Sequence, residues 1–144
     1  MPQTNDPDVI RRLLGEPGTW AVVGLSTNAG RPAYRIAAWL VESLGKSILA
    51  VHPKAEDVHG APGFTSLDAV EGRTVDVVDC FVASEHVGAV VDDAVANKDR
   101  LGIGAVWMQL GVIDEAAARR ATDAGLDVVM NLCPRIEWNH LTAR

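Results

Sequence analysis

The residues from Gly24 to Arg31 have the types and order that hold an anion. Gly24 ends a short apolar run, Trp20 to Val23, which is rich in strand formers and too short for a helix. Ser26 to Gly30 are small and polar, and Arg31 and Pro32 follow. Proline costs no hydrogen bond at the first position of a helix. Ile36, Ala37, Leu40, Val41 and Leu44 then recur at helical spacing before Gly45. The unit is strand, glycine-containing loop, helix. Its loop aims backbone N–H groups, and its helix end aims partial positive charge, at whatever sits above the strand. Phosphate suits such a place, and so does a plain tight turn; the loop alone leaves both open. The dinucleotide fingerprint G-x-G-x-x-G is broken, because Ser26 stands in place of the second glycine and the next glycine is Gly30. No Gly-Lys-Ser/Thr of a Walker loop follows.

Other residues with chemical capacity are scattered. His52-Pro53-Lys54 closes a second apolar run, where an NAD enzyme places Asp or Glu for the ribose hydroxyls. A basic group there suits a ribose phosphate, as in NADP or coenzyme A (CoA), or is a solvated loop lysine. Asp76 and Asp79 interrupt a third run and are expected near its ends as solvated or capping groups. Their spacing of three puts them on opposite faces of a pleat. Of the histidines, His59 falls on a loop, His86 in the first turn of a helix facing solvent, and His140 in the tail. Cys80 and Cys133 have no metal-ligand spacing and no framework pattern. Cys133 is expected to be a small buried thiol. No nucleophile or acid/base pair stands out, so neither a catalytic set nor a metal site is expected.

The elements that position these residues follow from periodicity. A polar start, Met1 to Asp8, precedes a short helix over about Asp8 to Leu14. The second strand is Ser47 to Val51, and Ala55 to Thr65 reads as loop. Ser66 caps a short helix through Val70, and the third strand is Val75 to Phe81. Ser84 caps a helix whose buried stripe is Val87, Val90, Val91, Ala94 and Val95. Asn97 to Gly102 form its exit loop. Gly104 to Met108 make the fourth strand, with Trp107 and Met108 facing opposite sides of the core. Asp114 caps a helix with an alanine face (Ala117, Ala121, Ala124), and the fifth strand is Leu126 to Met130. The tail from Arg135 packs Ile136 and Trp138 on the core. Strand and helix alternate, which predicts an α/β fold: a Rossmann-like, doubly wound parallel five-stranded sheet with helices on both faces. Residues 1–144 form one domain, of which 1–18 are an N-terminal extension with a short helix. Ligands of such sheets bind beyond the carboxyl ends of the strands. The segments there, Leu25–Arg31, His52–Lys54, Val82–Ser84, Gln109–Gly111 and Asn131–Cys133, are expected to form one rim.

Composition limits the function. Of 144 residues, 48% are hydrophobic, enough for a proper core. A net charge of −6 argues against a nucleic-acid binder. No apolar run approaches membrane-spanning length, and Met1 to Asp8 carry no apolar signal core. With two cysteines in no pattern, a reducing, cytoplasmic setting is expected.

Read together, the rim segments carry a resemblance. They are Ala-Val-Val-Gly-Leu-Ser, Gly-Arg-Pro-Ala-Tyr, Val-His-Pro-Lys, Val-Asp-Val-Val-Asp-Cys-Phe, Ala-Val-Trp-Met-Gln-Leu-Gly-Val and Gly-Leu-Asp-Val-Val-Met-Asn-Leu-Cys-Pro. Over roughly Thr19 to Leu141 the chain resembles the small stand-alone CoA-binding proteins. These are similar to the CoA-binding domain of the succinyl-CoA synthetase alpha subunit and related acyl-CoA synthetases. The second strand usually ends in Asn-Pro in such proteins, and here it ends in His52-Pro53. The resemblance implies CoA or an acyl-CoA across the strand ends. It places contacts at Gly24, Leu25, Ser26, Thr27, Arg31 and Tyr34, then at His52, Pro53 and Lys54. Phe81, Val82, Gln109 and Gly111 complete the implied site. The residue chemistry agrees. Loop N–H groups from Ser26 to Gly30 suit the pyrophosphate, and Arg31 offers bidentate bonds. Lys54 suits the 3′-phosphate, and Phe81 and Val82 form an apolar wall. Gln109 either bonds the amides of the pantetheine arm or stabilises its own loop. Cys133, on the expected rim, is also within the reach implied for the CoA thiol. The resemblance implies that the phosphorylated histidine of the synthetase relatives lies on a second domain, and neither that domain nor the ATP-handling subunit is expected in this chain. A CoA binder without catalysis of its own is therefore expected. An NADP-dependent oxidoreductase is the first alternative. The other is a regulatory or scaffold module that partners an ATP-grasp subunit; a homodimer is a separate candidate assembly and would count against that alternative.

Overall fold

Six parallel strands form the middle layer of the computed structural model, which describes residues 4–143. They are β1 (Thr19–Val23), β2 (Ser47–Val51), β3 (Gly63–Phe64), β4 (Val77–Cys80), β5 (Ala105–Met108) and β6 (Asp127–Val129). The helices are α1 (Pro7–Gly15), α2 (Pro32–Leu44), α3 (Ser84–Ala96), α4 (Lys98–Leu101), α5 (Glu115–Asp123) and α6 (Pro134–Thr142). The strand order is β3-β2-β1-β4-β5-β6, so β1 has β2 on one side and β4 on the other. The direction of winding reverses between β1 and β4, and that switch opens a crevice at their carboxyl ends.

Alternation along the strands separates two cores. Ala21, Leu49, Val78, Cys80, Val106 and Met108 face α3 and α5, where Val87, Val91, Ala94, Ala117 and Ala121 complete the layer. Trp20, Val22, Ile48, Ala50, Val77, Trp107 and Val129 face the other way, against Leu13 and Leu14 of α1 and Ala33, Ala37 and Leu40 of α2. Trp107 and Met108 thus sit in opposite cores, both fully buried, as their alternation predicts. The stop at Gly45 is real: its φ is 67°, a left-handed conformation that glycine adopts without strain. Asp114 caps α5 through a bond from the Ala117 N–H at 3.0 Å. Lys46, 3% exposed, donates through Nζ to the Leu13 carbonyl at 3.0 Å and to the Glu16 carbonyl, closing the end of α1. Burial holds its ammonium below the usual lysine range.

Several expectations are corrected. The sheet has six strands, not five: Gly63–Phe64, read as loop, pairs with β2 through Ala50 and Val51. Two residues are too few to show periodicity, and β2 supplies their register. The Asn97 to Gly102 exit loop contains a helical turn, α4. The Leu67–Ala69 segment is a 3-10 turn, and Ser66 makes no side-chain capping bond to it. Ser84 does not cap α3; Ala83 holds that position. The Ser84 hydroxyl instead accepts from the Ile113 N–H at 2.9 Å and donates to the Gly111 carbonyl at 3.2 Å. The polar start is tied to the edge of the sheet where described. Thr4 bridges Val128, and Asn5 pairs with Met130 in both directions at 2.7 and 2.9 Å. Met1–Gln3 and Arg144 lie outside the described residues. Ile136 is 43% exposed rather than packed away, whereas Trp138 does pack on the α2 side of the sheet.

The two aspartates separate. Asp76, just before β4, is exposed and accepts from the Thr19 N–H at 2.8 Å, which is a capping role. Asp79 is the penultimate residue of β4 (Val77–Cys80), and the strands on both sides cover it: Val22 of β1 and Trp107 of β5 flank it, and it is 0% exposed, neither solvated nor a cap.

Candidate functional site

The crevice at the switch point is a cavity of about 790 Å³. Its floor is built from strand ends: Val23 and Gly24 after β1, Val51 to Pro53 after β2, Phe81 and Val82 after β4, and Gln109 and Leu110 after β5. Its walls come from two helix N-termini. Arg31, Pro32, Ala33, Arg35 and Ile36 belong to the start of α2; Cys133, Arg135 and Ile136 belong to the start of α6. Each helix begins with proline, Pro32 and Pro134. Both ends thus turn unpaired N–H groups and partial positive charge to one space.

Gly24 makes this geometry possible. Its φ is 101°, its N–H donates to the Val51 carbonyl at 2.7 Å, and an added Cβ would lie 2.2 Å from the Phe81 carbonyl oxygen. Only glycine lets β1 turn into its loop while lying this close to β4.

Of the residues expected on the site, Gly24, Ser26, Arg31, His52, Pro53, Phe81, Val82 and Gln109 line the cavity. Five do not. Leu25 alternates away and is fully buried among Trp20, Val22 and Leu40. Thr27 lies over Glu56, to which its hydroxyl donates at 3.0 Å and its N–H at 3.4 Å. Tyr34 packs its ring on His59, centroids 4.4 Å apart. Lys54 is exposed beside the cavity, its N–H donating to His52 Nδ1 at 3.1 Å. That bond leaves the proton of the neutral imidazole on Nε2. Gly111 is turned outward at a φ of 88°, with its N–H on Asn131 Oδ1 at 2.6 Å.

The loop also departs from an open cradle. The Asn28 N–H donates to Ser26 Oγ at 3.2 Å, and the Gly30 N–H donates to Asn28 Oδ1 at 3.0 Å. With Thr27 on Glu56, three of the N–H groups expected to face a pyrophosphate serve the loop's own shape. Positive charge comes instead from side chains. Arg31, Arg35 and Arg135 all line the cavity, and among the described residues none makes an ion pair. Arg35 and Arg135 escaped the sequence reading, though both had a signal. Arg35 is one helical turn beyond Arg31, on the same face, and Arg135 follows a helix-starting proline as Arg31 precedes one. His86 is exposed, as expected, and lies on the cavity margin. Cys133 is half-buried rather than buried, because it is the residue that opens α6.

Gln109 and Asp79 carry the electrostatics of the floor. Gln109 Nε2 donates to Asp79 Oδ1 at 2.7 Å. Asp79 Oδ2 has no partner among the described residues. Burial pushes the Asp79 carboxyl up to about 7, and the Gln109 bond pulls it back only partly. Cys80, on the opposite face, remains a thiol, since burial and the Asp79 charge both raise it. No group of His, Cys, Asp and Glu side chains fit for a metal ion occurs among the described residues. Nor is any helix among them long and apolar enough to cross a membrane.

A family described as the CoA-binding domain matches residues 18–139. This chain belongs to that family. The match covers almost the same stretch as the resemblance drawn from the rim segments. Among its relatives, YneT of Bacillus subtilis, an uncharacterized protein, is 26% identical over 127 residues, covering 88% of this chain and 90% of its own. A hypothetical protein from Pyrococcus horikoshii is 29% identical, with a TM-score of 0.83 over 98% of this chain and 99% of its own. The dinucleotide-forming acetyl-coenzyme A synthetase 1 of Ca. Korarchaeum cryptofilum shares the fold. Its TM-score is 0.68 at 22% identity, over 85% of this chain and 27% of the synthetase.

Proposed function

We propose that this chain binds CoA or an acyl-CoA in the switch-point cavity and holds it without transforming it. The observation that carries this is the cavity's make-up: an apolar lining from Ile36, Phe81, Val82 and Ile136 shared with three arginines that make no ion pair among the described residues, on a chain of net charge −6. Isolated cations around an apolar space suit a ligand with a long uncharged body and several negative charges. A volume of about 790 Å³ lies within the range of cofactor pockets. In this arrangement Arg31 and Arg35 take the pyrophosphate at the start of α2, where bidentate guanidinium bonds and the helix end act together. His52, Pro53 and Thr65 flank the adenosine, and Lys54 meets the 3′-phosphate at the cavity mouth. The pantetheine arm runs over Phe81 and Val82 towards Gln109 and Cys133.

Titration calorimetry with CoA, dephospho-CoA and NADPH tests this. CoA is expected to bind, more weakly after Arg31→Ala or Arg35→Ala by about tenfold each, the worth of a charge-assisted bond. Equal affinity for CoA and dephospho-CoA would remove the role of Lys54 alone. No heat with CoA at millimolar concentration, or binding of NADPH in its place, would overturn the proposal.

A further inference from the structure

Beneath the cavity lies a buried acid whose one bond decides what the floor offers. An ionised carboxylate only accepts hydrogen bonds. Gln109, with its Nε2 committed to Asp79 Oδ1 at 2.7 Å, therefore has its amide nitrogen fixed inward. The other arm of the planar amide is the carbonyl oxygen Oε1, and Gln109, 5% exposed, meets the cavity with what remains. A glutamine without such a partner can turn over and show a ligand either end. Asp79 removes that freedom.

Resting on the CoA reading, we propose that Asp79 is a positioning residue: it holds Gln109 with Oε1 toward the cavity, so that the floor accepts an N–H from a secondary amide of the ligand's arm. Ligands whose arm has no N–H at that depth leave this oxygen dry and unpaired, which is costly in a buried site. The floor thereby selects for an amide-bearing arm such as pantetheine, while the arginines select for the phosphates.

The state of Asp79 sets the strength of the constraint. As a neutral acid it donates as well as accepts, and Gln109 is no longer held one way round. Its carboxyl, raised by burial, titrates near 7. The elements around it bring no other charge to bear in contact. β1 presents Val22 and β5 presents Trp107. Ala33 and Ala37 of α2 and Leu132 ahead of α6 share its face of the sheet. Cys80 stays a thiol on the other face. Arg31, Arg35, Arg135, His52 and His86 stand around the cavity above it, and none bonds to it. Ionised Asp79 is the form that fixes the acceptor, so affinity for CoA falls as pH drops through about 7.

The test is calorimetry of CoA binding to the wild type and to Asp79→Asn across about pH 5.5 to 8.5. Adenosine 3′,5′-bisphosphate, which lacks the arm, serves as second ligand. The ligand and every other side chain are common to both proteins, so the difference between profiles belongs to Asp79. The wild type is expected to lose about tenfold in CoA affinity relative to the variant between about pH 8 and pH 6. The bisphosphate is expected to bind both proteins alike at every pH. Parallel CoA profiles would overturn this proposal alone. Failure of the wild type to bind CoA at any pH would overturn the function proposed above and this one with it. Should Asp79→Asn not fold, Gln109→Met replaces it: weaker CoA with unchanged bisphosphate is expected, and unchanged CoA overturns.

Discussion

Asp79 stands in the middle of the sheet at a cost. In the unfolded chain its carboxyl ionises near 3.8, and in the fold it keeps its proton to about 7. The sign follows: the acid is harmless below about pH 4, erodes stability as pH climbs to about 7, and exerts its full penalty above. That penalty is roughly 4 kcal/mol. Asp79→Asn is therefore expected to raise the melting temperature at about pH 8, with the gain shrinking steadily toward pH 5. Thermal unfolding at both pH values checks it; an equal shift at the two would contradict the assignment. A group that weakens its own fold this way is where function is to be sought. The signal was present in Val-Asp-Val-Val-Asp-Cys-Phe, since an acid inside an apolar run is an anomaly for a central strand. What hid it is that Asp76 and Asp79 look alike in the sequence, whereas Asp76 lies outside the strand and Asp79, although penultimate in β4, is covered by β1 and β5 on either side.

Among the elements, β1 with its loop and α2 shows most directly how backbone shape makes the site. Gly24→Ala would set a methyl 2.2 Å from the Phe81 carbonyl in a residue already at φ 101°. Gly45→Ala, at φ 67° with nothing within 4 Å, meets only the conformational penalty. Urea unfolding is expected to show a loss of about 1 kcal/mol for Gly45→Ala and at least about 3 kcal/mol for Gly24→Ala. Comparable losses would mean that β4 yields where the close approach is drawn. The long elements were legible because each carries its own periodicity: the α2 stripe from Ile36 to Leu44, the alternation of Trp107 and Met108, the caps at Asp114 and Gly45. What escaped has no local signature. β3 exists because β2 offers it partners, and Ser84 binds a loop far along the chain rather than its own helix. Eight of the thirteen expected site residues line one cavity because strand ends converge by topology. The arginines of α2 and α6 join them only through helix packing, which no single segment announces.

Over the whole molecule, protection should follow position in the sheet. Amide hydrogen exchange is expected to be slowest in β1, β4 and β5, which have neighbours on both sides, and fast in β3. Slow exchange at Gly63 and Phe64 would contradict that ordering. The two margins of the sheet are finished differently. One is a strand of two residues preceded by Pro62. The other, β6, carries Thr4 on its outer side, and Asn5 satisfies both the N–H and the carbonyl of Met130 just beyond it. Lateral growth of the sheet by a visiting chain therefore finds no long, bare ribbon on which to start. That protects a valine-rich chain from templated, fibril-like accretion.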